Sequence, residues 1–78
     1  MTALNYDLRT EALFVSDVQR SQQPTAELIR EAVTATVNKL GESGCAALVA
    51  QEFGEHPDCA LGRMQWARRA VLNAYAAA

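Results

Sequence analysis

The residues of this chain best suited to bond-making chemistry are one histidine, His56, and two cysteines, Cys45 and Cys59. A cysteine attacks as the thiolate, which needs a neighbouring base. His56 and Cys59 are three residues apart, so a Cys–His pair is the first arrangement to weigh. The segment Gly54-Glu55-His56-Pro57, however, reads as a tight turn, and a histidine there is solvated. The carboxylates are spread over helix surfaces, with none set in an apolar run that would raise its pKa. This pattern points away from an enzyme. A structural zinc site takes four ligands, usually as two close pairs. His56 and Cys59 supply one pair, and Cys45 has no neighbour at matching spacing. Gly41 and Gly44 lack the lysine and hydroxyl residue of a phosphate loop. No metal and no cofactor is expected. Two cysteines are too few for a disulfide framework, so both are read as free, buried thiols.

Recognition chemistry is better represented. Val49-Ala50-Gln51-Glu52-Phe53-Gly54 resembles the first helix and turn glycine of a helix-turn-helix, and Arg63, Trp66, Arg68 and Arg69 follow on the next helix. Two departures weaken this reading. Glu55 stands where an apolar residue is normal, and the turn reads as at least one residue too long, because Leu61 and Met64, rather than Ala60 and Arg63, take the core spacing. DNA binding is therefore the alternative. The preferred candidate is an interaction surface of Cys59, Arg63, Trp66, Arg69, Ala70 and Ala77, since aromatic anchors beside arginines and small residues are common at interface centres. It would serve a protein partner or a second copy in a homodimer. The competing reading has helix one fold across the strip and bury Trp66 within the monomer.

Punctuation by proline and glycine predicts the elements that position these residues. Helix one spans about Tyr6 to Gln19, on a stripe of Leu4, Leu8, Ala12 and Val15 widened by Phe14 and Val18. Pro24 bars the right-handed helical region to Gln23 and marks a linker. Helix two spans about Thr25 to Leu40, with Ile29, Ala32, Val33, Thr36, Val37 and Leu40 on one face and Gly41 as a left-handed stop. Helix three, about Ser43 to Phe53, is nearly all apolar and is expected to be the most buried element. Asp58 is the expected N-cap of helix four, about Cys59 to Ala76. There Leu61, Met64, Val71, Leu72 and Tyr75 form the major apolar face, flanked by Ala60 and Ala67, and Trp66 lies on a minor strip.

These elements make one all-α domain over residues 1–78: a compact bundle of about four helices whose last two form an αα-hairpin or helix-turn-helix-like unit. Half of the 78 residues are hydrophobic, but many are alanine, which favours helices and adds little volume to a core. A chain of this size is marginal alone, and oligomerisation is one remedy. The net charge of −2 at pH 7 lacks the basic excess usual for phosphate neutralisation. The N-terminus has no signal-peptide pattern, and no run approaches the roughly 20 apolar residues of a membrane span. A cytoplasmic location is the expectation.

The stretches Glu11-Ala-Leu-Phe-Val-Ser16 with Pro24-Thr25, Gly44-Cys-Ala-Ala-Leu-Val-Ala-Gln-Glu-Phe-Gly54 and Met64-Gln-Trp-Ala-Arg68 resemble a group of short, Ala- and Arg-rich, all-helical proteins of high-GC actinobacteria. The resemblance spans most of the chain. It implies a bacterial cytoplasmic setting and no catalytic residues. The expected function is a non-catalytic accessory or regulatory one, exercised through protein contacts.

Overall fold

The computed structural model describes residues 5–76; Leu4 and Ala77, which the helical reading had placed, lie outside them. Three helices and one 3-10 turn make up the described fold: α1 (Tyr6–Val15), the turn Arg20–Gln22, α2 (Ala26–Glu55) and α3 (Pro57–Ala76). Each helix packs against the other two. The all-α expectation holds, with three helices in place of about four. No described helix is long and apolar enough to cross a membrane.

The helix ends follow from local side chains. Asn5 caps α1 by accepting the Leu8 N–H at 2.7 Å. The helix stops at Val15 instead of continuing to Gln19, because Ser16 competes for the backbone. Its N–H and hydroxyl both donate to the Leu13 carbonyl, and its Oγ accepts from the Val18 N–H. The chain then tightens into the 3-10 turn, where the Gln19 N–H donates to Gln22 Oε1. Gln23, ahead of proline, takes a left-handed conformation with φ 50° and ψ 58°. Thr25 caps α2 by accepting the Leu28 N–H at 3.1 Å.

The expected second and third helices run together as α2, broken at Gly41. A straight helix of 30 residues would be about 45 Å long, whereas the longest dimension of the molecule is 36 Å. Gly41 resolves the mismatch with φ 71° and ψ 175°. This is not the left-handed stop foreseen, but an extended, positive-φ conformation essentially restricted to glycine. The helix resumes at once in a new direction. The segment after it is not the most buried element. Cys45 is enclosed, but Ala46, Ala47, Leu48 and Ala50 are exposed. With only α1 and α3 to cover it, this limb can bury a single stripe.

His56 alone separates α2 from α3. Pro57 takes the first helical position, where a missing N–H is no loss. Asp58 therefore lies in the first turn instead of capping it, still a favourable place for an acid at the positive helix end. The buried face of α3 is also rotated from the sequence expectation. Ala60, Trp66, Ala67, Ala70, Val71 and Ala74 face inward, whereas Leu61 and Leu72 are 54% and 49% exposed. The alanines let α1 and α2 approach closely. The Trp66 ring, among the largest apolar surfaces a residue can bury, then completes the core with Leu13, Val33 and Val71. Phe14 and Phe53 stack at 6.0 Å on the α1–α2 side.

Candidate functional site

Arg63, a candidate for partner or DNA contact, is turned inward and bound to its own chain. Its Nε donates to the Phe14 carbonyl at 2.7 Å, and Nη2 reaches the carbonyls of Leu13, Ser16 and Val18 at 3.0–3.3 Å. The guanidinium thus closes the C-terminal end of α1 and the connection after it. The orphan carbonyls of a helix end attract such a cation. Arg63 also packs between the rings of Phe14 and Trp66, 5.9 and 5.2 Å from their centres. Burial pulls its pKa down from the usual guanidinium value; a guanidinium still keeps its charge at any ordinary pH.

Two further arginines are committed within the fold. Arg30 Nη1 donates to the Ala74 carbonyl at 2.8 Å, capping the last turn of α3. Arg9 stacks over Tyr75 at 4.0 Å and over Tyr6 at 5.5 Å. Burial pushes the Tyr75 hydroxyl pKa up, while Arg9 and Arg30 oppose the shift.

Trp66 is 9% exposed and belongs to the monomer core. One depression beside it is lined by Arg20, Gln23, Arg69, Ala70 and Asn73. The six-residue strip drawn from the sequence is therefore divided. Trp66 and Ala70 are buried, Arg63 is a clamp, Arg69 and Cys59 are exposed, and Ala77 lies outside the described residues.

Cys59, expected to be buried, opens instead into a groove of about 320 Å³ where the three helices meet. Phe14 and Val15 of α1, Leu48, Gln51 and Glu52 of α2, and Ala60 and Arg63 of α3 complete its walls. Leu48 is 39% exposed. Sequence reasoning missed Phe14, Val15 and Leu48 here because it had assigned them all to the core. The second cysteine, Cys45, is fully enclosed as expected. Burial raises its thiol pKa, and the neighbouring Glu11 adds to the rise. Glu11 is itself raised, by burial first and then by Asp7 and Glu42.

The catalytic candidates are not brought together. His56 is exposed and its Nδ1 lies 3.1 Å from Glu52 Oε1, but no hydrogen bond joins its ring to Cys59 among the described residues. Among those residues, no group of three His, Cys, Asp or Glu is placed to hold a metal ion. The helix-turn-helix reading changes in both of its parts. The connection is shorter than supposed, since Gly54 and Glu55 are helical. Ala60 and Arg63 do turn inward, which leaves Arg68 and Arg69 as the exposed arginines of α3.

No family model, curated protein or solved structure matches the chain.

Proposed function

We propose that the protein acts as a non-catalytic accessory factor that holds another protein chain, or a second copy of itself, in the groove at the junction of its three helices. One observation carries this reading: Leu48 is 39% exposed at the wall of an open groove that Phe14, Val15 and Ala60 also line. Leucine left at the edge of a concave, partly apolar site gains by covering, about 25 cal/mol for each Å² removed from water. A few polar groups in such a site, here Gln51 and Glu52, give orientation.

Cys59 supplies the test, because it is the exposed thiol and Cys45 is enclosed. A photocrosslinker attached to Cys59 should yield a discrete adduct in the native cells, or a dimer with purified protein. Leu48→Glu should abolish that adduct with thermal stability unchanged. An adduct that survives Leu48→Glu undiminished, or the lack of any adduct, would refute the proposal.

A further inference from the structure

Four cations, Arg20, Lys39, Arg68 and Arg69, make no side-chain hydrogen bond, ring stack or ion pair among the described residues, and of these Arg20 and Arg69 share one cleft. Arg9, Arg30 and Arg63 are committed as described above, and Arg68 shares a depression with Asp7 and Glu11. Arg20 and Arg69 instead line one cleft of about 340 Å³ between the 3-10 turn and α3, together with Gln23, Asn73 and Trp66. No carboxylate of the described residues lines it or the adjoining depression, which shares Arg20, Gln23 and Trp66. The chain has nine acidic residues against seven basic ones, so a cleft with two arginines and no acid is set apart from the rest of the surface.

The floor of the cleft carries a second, independent sign. Trp66 is buried to nine-tenths, yet its indole N–H has no hydrogen-bond partner among the described residues. Among the described residues, the one fully enclosed side-chain N or O atom without a partner is Arg9 Nε. The Trp66 N–H therefore retains access to solvent, and Trp66 lines both depressions. A donor-only indole that lines both depressions beside Arg20 can offer its N–H to an acceptor in the cleft. The side-chain amides of Gln23 and Asn73 can add donors, and Ile29, Ala70 and Ala74 provide an apolar wall.

We propose that this cleft binds a phosphate monoester with a small apolar body, its phosphate held between Arg20 and Arg69 and accepting from the Trp66 indole. A phosphate monoester carries a charge of about −1.5 to −2 at neutral pH, which matches two guanidinium groups better than a carboxylate does. Arginine also presents its donors in a planar fork suited to phosphate oxygens.

Trp66 is the single tryptophan of the chain, so its fluorescence reports on the cleft directly. Phenyl phosphate, titrated into the intact protein, should shift the emission saturably. Benzoate should bind at least about tenfold more weakly, as the loss of one charge-assisted contact implies. Arg20→Gln and Arg69→Gln should each weaken phenyl phosphate by about tenfold or more on the same grounds. Both residues are exposed, so the variants should keep the wild-type circular dichroism and melting temperature. Arg68→Gln, outside the cleft, should leave binding unchanged. The proposal is overturned by any of three results: no saturable response to phenyl phosphate, equal affinity for benzoate, or an equal loss in Arg68→Gln and Arg69→Gln. A short oligonucleotide that outcompetes phenyl phosphate would assign the cleft to a nucleic-acid backbone and also overturn it.

Discussion

Arg63 brings a full charge into a partly buried position and satisfies it with four backbone carbonyls at the end of α1. Desolvating a guanidinium is costly, but charge-assisted hydrogen bonds to the carbonyls at a helix end offset that cost. Removing the head group would take the guanidinium from the Phe14, Ser16 and Val18 carbonyls and leave the Leu13 carbonyl to Ser16 alone. Arg63→Met should lower the urea-unfolding free energy by about 2–4 kcal/mol. Arg63→Lys should recover less than half of the loss, since an ammonium cannot reproduce the fork. A loss below about 0.5 kcal/mol for Arg63→Met, the range of a neutral surface change, would show that the clamp contributes nothing. This role was partly legible. Ala60, Arg63, Ala67, Ala70 and Ala74 recur at spacings of three and four, so the arginine interrupts an alanine stripe. The larger side chains of Leu61 and Leu72 drew the inferred face away from it. Nothing local to the sequence says that an α1 terminus, 49 and 50 residues away, supplies acceptors.

At the scale of elements, Gly41 sets the shape. It was legible as an interruption, because glycine after a run of periodic apolar residues is a common stop. Its consequence was not, because the direction of the chain after the break depends on what the second limb packs against. The site isolates the backbone term cleanly. A Cβ on Gly41 would meet nothing within 4 Å, but its φ of 71° and ψ of 175° are strained for any other residue. Gly41→Ala should destabilise by about 1–3 kcal/mol. Gly62→Ala, on a helical and unobstructed position of α3, should stabilise by about 0.5–1 kcal/mol. Thermal melts of the two variants should move in opposite directions. A Gly41→Ala protein as stable as wild type would mean that the chain continues straight through this point. The early end of α1 belongs to the same scale. From the sequence, helix one is carried through Ser16, because the capture of the Leu13 carbonyl by that serine depends on the chain having somewhere to turn.

For the whole molecule, three mutually packed helices leave none of them surrounded. That is why an almost wholly apolar segment such as 45–53 can expose Leu48, and why a groove opens at the three-way junction. Fold class and helix content were legible because alanine content and periodicity act locally. The rotation of α3 was not, because it is decided by the combined burial of Trp66, the Arg63 clamp and the close approach that the alanines allow. Every site described depends on that rotation. It puts Cys59 and Arg63 at the groove, Arg69 and the edge of Trp66 at the cleft, and Leu61 and Leu72 in water. The most direct measurement compares unfolding free energies of Trp66→Ala with those of Leu61→Ala and Leu72→Ala. Trp66→Ala should lose about 3–5 kcal/mol, a large share of the roughly 5–15 kcal/mol that holds a small domain folded. The two leucine variants should each stay within about 0.5 kcal/mol of wild type. The reverse order, with Leu61→Ala and Leu72→Ala crippling and Trp66→Ala mild, would contradict the account.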